Sequence, residues 1–510
     1  MIGCKKSVIQ VWRFCIATYK ITFFCTLVSI SALWLSSCSL APKYKQPPLP
    51  VASAYPLATK TLTNKITNNR IAVDVAWRDY FADPYLQTLI TTALDNNRDL
   101  RIAALRVKEA QATYRIERSK QFPTINADVD VSQTRLPGDI STTGTARVFN
   151  QYQIDLGLAS WELDLWGRIL NLKKAALENF LATDAARRAA TVSLISQVAE
   201  NYLILREFDE RIMIAEQTVQ SHQKSFRIFS ERFKIGAISQ LDLSQVETLL
   251  TQAQALGTQL EQSRAAAINT LTLLVGTPIA SPPKNVRFDD NIVLHELRVG
   301  LPSELLTVRP DVIAAEHQLK AAGANIGAAR AAFFPQITLT GWLGTTSNEL
   351  GGLFKNGSGT WNYAPSLTLP IFNAGRNRAA LNLAEIRSNI MVANYEKTIQ
   401  TAFREVADAL SARHWLSQQV RVHQRMLAAE NKRAYLAEMR YDNGAAPYLE
   451  VLDAQRDLLA AEQQLVQTRR ALLSSRVRLY AALGGGSQYF ITEPPKANTN
   501  YLPANRVNKK

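Results

Sequence analysis

Arg440-Tyr441-Asp442-Asn443-Gly444-Ala445-Ala446-Pro447-Tyr448-Leu449-Glu450-Val451-Leu452-Asp453 is a glycine turn set between two long helical patterns, and the chain carries it twice. The earlier copy is Arg232-Phe233-Lys234-Ile235-Gly236-Ala237-Ile238-Ser239-Gln240-Leu241-Asp242-Leu243. Arginine, aromatic, glycine, alanine, leucine and acid recur in the same order at the same spacing. Self-similarity of this kind marks a duplicated supersecondary unit, here a helix–turn–helix tip.

The copies run on beyond the turn. Leu243, Val246, Leu250, Ala253, Gly257 and Leu260 step by threes and fours, and Val451, Ala454, Leu458, Ala461 and Leu465 follow the same rhythm. A seam of that period packs a helix against a neighbour in a coiled-coil manner. Upstream, Gln121-Phe122-Pro123-Thr124-Ile125 is echoed by Phe333-Phe334-Pro335-Gln336-Ile337. The chain of 510 residues therefore reads as two structurally similar halves.

Charge and cysteine narrow the function classes. The net charge of +15 is concentrated at the ends, on Lys5, Lys6, Arg13 and Lys20, on Lys43, Lys45, Lys60, Lys65 and Arg70, and on Lys496, Arg506, Lys509 and Lys510. The body is left nearly neutral, whereas a nucleic-acid binder concentrates its charge on the folded part. Cys4, Cys15, Cys25 and Cys38 are the only cysteines, and all lie near the N-terminus, so the body has neither a disulfide nor a cysteine metal site.

Residues 1–37 read as an export signal, with basic residues before an apolar run from Ile21 to Leu35. Residues 38–75 are rich in Pro, Thr, Asn and Lys and suit an extended tether. A first repeat spans 76–276, a connector 277–302, a second repeat 303–484 and a tail 485–510. Within the first repeat, one helical pattern is expected from Asp83-Pro84 to about Lys120.

Each repeat then holds a strand pair, at about 124–160 and about 336–370. Ile125, Ala127, Val129 and Val131 alternate with Asn126, Asp128, Asp130 and Ser132, and Tyr152, Ile154, Leu156 and Leu158 alternate with Gln151, Gln153, Asp155 and Gly157. Such alternation gives a strand one apolar and one wet face. Long helices follow, since Arg168 to about Lys234 and Arg376 to Asn443 contain neither proline nor glycine. Each would rise roughly 100 Å at 1.5 Å per residue.

Four amphipathic strands have membrane-crossing length. In lipid every backbone polar group must be paired, so a spanning sheet has to close. Four strands are too few, because single-chain bacterial barrels begin at eight. Two copies sharing a barrel would give eight strands and a filled interior; three would give twelve and room for a channel.

With both tips, the Phe-Pro strand starts, Leu165-Trp166-Gly167-Arg168, Leu369-Pro370-Ile371-Phe372-Asn373-Ala374-Gly375-Arg376 and Arg309-Pro310-Asp311 in view, the chain resembles the TolC-like outer-membrane efflux factors. Leu35-Ser36-Ser37-Cys38 resembles a lipobox, which assigns acylation to Cys38, and Ser39 in place of an aspartate implies the outer membrane. The resemblance is to the lipoprotein branch serving resistance–nodulation–division pumps. It implies a mainly α fold with a small β part: a homotrimer whose strands form a twelve-stranded barrel above a long helical barrel. It also implies a periplasmic adaptor docking around Gly236 and Gly444, an inner-membrane pump, and contact with outer-membrane lipid. No cofactor is implied.

In the family the tips converge to close the periplasmic end. Tyr441 and Asp242 match a link that holds a helix pair shut, and Glu450 and Asp453 match acids ringing the constriction. With Asp457 these form an acidic stripe on one helix face, which would favour cations. Ala446 stands where the best-known member has a second-link arginine, so the closed state here would be held differently. From spacing alone, simpler roles come first: Ser239 and Asp242 fit a capping box, Pro447 the first helical position, and Glu450 an early turn where acids suit the helix dipole.

Enzymatic readings find no support. His222, His295, His317, His414 and His423 are scattered, and Gly484-Gly485-Gly486 lacks the lysine and hydroxyl of a phosphate loop. Glu162 and Asp164 form a carboxylate pair with no nucleophile beside it and are expected to face water. A passive export duct for small toxic compounds is the leading function. The alternatives are a non-conducting structural envelope lipoprotein and a duct for type I-like polypeptide secretion.

Overall fold

The computed structural model describes residues 39–55, 72–142, 144–280, 290–293, 297, 302–487 and 490. The signal segment with Cys38, part of the tether, much of the connector and the end of the tail lie outside them. The helices are α1 (Trp77–Tyr80), α2 (Pro84–Asn96), α3 (Arg98–Ser119), α4 (Arg168–Lys234), α5 (Gln240–Val275), α6 (Leu305–Val308), α7 (Pro310–Ala331), α8 (Arg376–Asp442) and α9 (Tyr448–Ala482). The strands are β1 (Ile125–Leu136), β2 (Arg147–Leu163), β3 (Gln336–Ser347) and β4 (Gly359–Thr368). Two compact units result, and each draws on both halves of the chain.

The first unit takes in residues 39–46, 109–180 and 317–392 and holds the sheet. Its strands pair antiparallel in the order β1-β2-β3-β4, so the two strand pairs join through β2 and β3. The register aligns the alternation across all four strands. Val129 faces Ile154, Leu156 faces Leu343, and Leu343 faces Trp361, which builds one apolar face. Asp128 faces Asp155, Asp130 faces Gln153, and Trp342 faces Asn362 on the other. Among the described residues nothing covers the apolar side: Val129 is 70% and Trp361 77% exposed.

Local chemistry fits this sheet together. Between Leu158 and Trp161 the register shifts, and Ser160 takes φ +30° in the resulting bulge. Beyond the bulge Glu162 returns to the wet face, but it does not simply face water. Arg168 Nε and Nη2 donate to its two carboxylate oxygens at 2.9 and 2.5 Å, and Gln336 donates to it as well. Asp164 accepts from the Leu170 amide at 2.7 Å, in the first turn of α4. Gly344 sits opposite Asp155, where a Cβ would overlap the backbone of Ile154 and Asp155.

The second unit is helical. The helical pattern from Pro84 to about Lys120 is divided at Asn97, which takes φ −62° and ψ 131°. Its side chain accepts from the Leu100 amide at 2.9 Å, restarting the helix with its own cap. Asp83 caps the start of α2 through the amides of Tyr85 and Leu86, with Pro84 at a position where its missing N–H is harmless. Tyr80 and Tyr480 stack at 4.2 Å and donate to the carbonyls of Arg476 and Val75.

A buried ionic layer ties α4, α5 and α9 together. Asp209, 4% exposed, accepts from Arg206 at 3.0 Å and from Arg264 at 2.7 Å. Beside it Glu207 pairs with Arg211 and with Arg470, and Arg211 donates to Gln463. Removing one member of a buried charge pair strands its partner in a low-dielectric site. Asp209→Ala is therefore expected to cost about 3–5 kcal/mol, read as a lower thermal midpoint of the helical circular-dichroism signal. An unchanged midpoint would mean that Arg206 and Arg264 are held by other contacts.

Candidate functional site: the helical hairpin tips

Both tips end their outgoing helix in the same way. At the first, the Ala237 N–H donates to the Arg232 carbonyl and the Gly236 N–H to the Phe233 carbonyl, each at 2.9 Å. At the second, Ala445 donates to Arg440 at 2.8 Å and Gly444 to Tyr441 at 2.9 Å. These are Schellman caps, which need a left-handed residue at the turn. Gly236 and Gly444 supply it with φ of +71° and +70°. No atom lies within 4 Å of where their Cβ atoms would be, so both turns are open on their outer side.

The returning helices start differently. Ser239 and Asp242 form a complete capping box at α5: the Asp242 amide donates to Ser239 Oγ at 3.2 Å, and the Ser239 amide donates to Asp242 Oδ2 at 3.0 Å. Pro447 is the cap residue of α9 rather than its first helical residue, with φ −69° and ψ 154°, and makes no side-chain cap. Its proline ring fixes φ but offers no acceptor. Arg440 closes this second turn instead, donating to Glu450 Oε2 at 2.9 Å and to the Ala445 carbonyl at 3.3 Å.

An aromatic cluster joins the hairpins. Phe229, Val246 and Leu452 form its buried centre, with Tyr441 and Tyr448 packed against it. Tyr448 lies 4.3 Å from Phe229 and 4.8 Å from Tyr441, ring centre to ring centre. The Tyr441 hydroxyl accepts from Arg232 Nη1 at 2.5 Å, and the same guanidinium sits 5.7 Å from the Phe229 ring centre. The end of α4 is thereby linked to the end of α8. Within the chain Asp242 is engaged by Ser239, and Tyr441 by Arg232.

Every acid of the stripe is paired with an arginine. Glu450 pairs with Arg440, Asp453 with Arg456 at 3.2 Å, and Asp457 with Arg433 at 2.7 Å and Arg456 at 3.0 Å. The Arg433 hydrogen bond holds the Asp457 carboxyl below the usual aspartate range. These pairs are largely exposed, so each contributes little to stability. Each carboxylate stays ionised, but an arginine held against it offsets its charge in the local field. Sequence reading found the acids and passed over the arginines, although Arg456 stands three positions after Asp453.

Among the described residues no group of His, Cys, Asp or Glu is arranged to hold a metal ion, and no helix is long and apolar enough to cross a membrane. Cys38, the expected acylation site, lies outside the described residues.

A family model described as "Outer membrane efflux protein" matches the chain twice, over residues 89–277 and 301–485. The solvent efflux pump outer membrane protein SrpC of Pseudomonas putida is 43% identical over 467 residues, covering 91% of this chain and 98% of its own. The cation efflux system protein CusC of Escherichia coli O6:H1 is 41% identical over 458 residues, covering 90% and 97%. The open state of the Neisseria gonorrhoeae MtrE outer membrane channel superposes with a TM-score of 0.79 at 37% identity, over 88% of this chain and 99% of that one.

The Ser239 hydrogen bonds favour the ionised carboxylate and hold Asp242 below the ordinary aspartate range. A depressed carboxyl stabilises the folded form at neutral pH and loses that contribution as acid carries the solution through the lowered value. Amide exchange in the first turn of α5, corrected for intrinsic rates, is expected to quicken below the ordinary aspartate range. In Ser239→Ala the turn should exchange faster already at neutral pH and depend less on acid. Identical profiles for the two proteins would show that the box contributes nothing.

Proposed function

Because the chain belongs to the outer membrane efflux protein family, we propose that it is the trimeric outer-membrane duct of a tripartite pump, shut at its inner end by the hairpin tips. The observation that carries this reading is the sheet. It has one apolar face, one polar face and two edge strands, β1 and β4, each paired on one side only. Three copies joined edge to edge supply twelve strands, enough to enclose water. The wet face with Asp128, Asp130 and Asp155 then lines the passage, and acylation of Cys38 adds a lipid anchor.

The tips suit docking to a periplasmic adaptor. Ile235 is 80% and Leu241 66% exposed beside the open Gly236 turn, and such apolar surface favours a protein partner. An inner-membrane pump of the resistance–nodulation–division class supplies the energy, and the duct is passive. SrpC and CusC are named for solvents and cations. For this chain the cargo class is small toxic compounds.

The gate is built from the hairpin link. Arg232 and Tyr441 hold α4 to α8, while Asp242 acts by fixing the start of α5 against the same cluster. Glu450 and Asp453, with Asp457, sit at the constriction as half of a balanced charge set.

Arg232→Ala and Tyr441→Phe are each expected to raise single-channel conductance in planar bilayers several-fold. The double variant should exceed neither, because both remove one hydrogen bond. Asp242→Ala should give a smaller gain. Closed-state conductance in the double variant would remove the link from the gate.

Neutralising the arginines tests the charge balance. Arg440→Ala with Arg456→Ala is expected to shift the reversal potential in a salt gradient toward cation selectivity, since Glu450 and Asp453 are then uncompensated. An unchanged reversal potential would place the selectivity elsewhere.

A further inference from the structure

The residues directly after Cys38 are seated on the first unit by four separate contacts. Ser39 Oγ donates to Asn171 Oδ1 at 2.9 Å, and Asn171 has no exposed surface. Arg330 Nη1 donates to the Leu40 carbonyl at 3.4 Å. Lys320 Nζ lies 5.0 Å from the centre of the Tyr44 ring. Gly327 completes the seat by what it lacks. A Cβ there would lie 2.8 Å from both Cα and Cβ of Ala41 and 2.7 Å from Asn171 Nδ2, closer than unbonded atoms stand.

A glycine inside a helix costs stability relative to alanine. Gly327 lies within α7, so that cost needs a reason, and the approach of the Ala41 backbone is one. The neighbouring Gly323 makes the contrast, because a Cβ there would meet nothing within 4 Å. The seat also has a definite position. Asn171 is in the first turn of α4, which follows β2, and Gly327 is near the end of α7, which precedes β3. Ser39 therefore docks at the helix-side foot of the sheet.

We propose that Asn171, Gly327 and Arg330 form a docking slot for the segment that follows the acylated cysteine, and that the slot sets the lipid anchor at the foot of the sheet. The proposal rests on the reading that Cys38 carries lipid. Undocked, the stretch from Ser39 to Tyr55 would let the lipid range over roughly 50 Å at 3.3 Å per residue. Docked through Ser39, the lipid-bearing residue stays within about 4 Å, the step between consecutive Cα atoms. Acyl chains and strand ends then meet the same leaflet, so the anchor fixes the depth of the sheet as well as its attachment.

The test uses trypsin, which cleaves after Lys43 and Lys45, on the full acylated protein purified in detergent. Gly327→Ala replaces glycine by a better helix former and still fills the slot. It is expected to speed cleavage after Lys43 at least tenfold, as is Asn171→Leu, with oligomer size unchanged. Gly323→Ala should leave the rate within twofold of the parent. Unchanged rates in both slot variants would overturn the slot, and so would equal acceleration by Gly323→Ala. The mass of the released 38–43 peptide reports the lipid separately. An unacylated peptide sinks the lipid reading, while the cleavage rates still judge the slot.

Discussion

Two rows of backbone N–H and C=O groups decide what this chain can be. They run along the outer edges of β1 and β4, where the four-stranded sheet has no further strand among the described residues. In water such edges invite aggregation, and in lipid each unpaired group costs several kcal/mol. The sheet cannot avoid the lipid, because its aligned apolar face is open from Val129 to Trp361. Both problems have one answer. In the proposed trimer identical copies pair their edges, the apolar faces turn outward, and the polar faces enclose water.

The helical part follows from that answer. The proposed duct needs closing at its inner end, and the duplicated tips offer two similar hairpins per copy for that role. They are stiff where they must hold, through the Schellman turns at Gly236 and Gly444 and the buried cluster of Phe229, Val246 and Leu452. Their remaining contacts are weak, as the proposed gate requires. The Arg232–Tyr441 bond and the arginine–carboxylate pairs around Glu450, Asp453 and Asp457 are exposed and screened by salt. The buried layer around Asp209 is the opposite case, and a change at the tips need not disturb it.

Much of this was legible in the residues. Period-two alternation located β1, β2 and β4, the Phe-Pro start placed β3, and the stretches free of proline and glycine matched α4 and α8 to within a residue or so. The capping box at Ser239 and Asp242 was readable because it is local, and the structure contains it. The long-range partners were not readable. Arg232 meets Tyr441 across the whole span between the repeats, and no spacing rule connects them. Arg440 reaches Glu450 only because the turn folds back. Asn97 divides the helical stretch after Pro84 because its side chain competes for backbone amides, an effect that hydrophobic periodicity does not register. Gly327 stands in an alanine-rich helix where no local pattern singles it out, and its purpose is visible only with Ala41 beside it.

The most direct test is the copy number of the particle extracted from the membrane, read by native mass spectrometry in gentle detergent. Edge pairing between identical chains predicts a mass three times that of one acylated chain, with no folded single copy at the same concentration. A stable particle holding one chain would contradict it, because the edges of β1 and β4 would then have been satisfied without any partner.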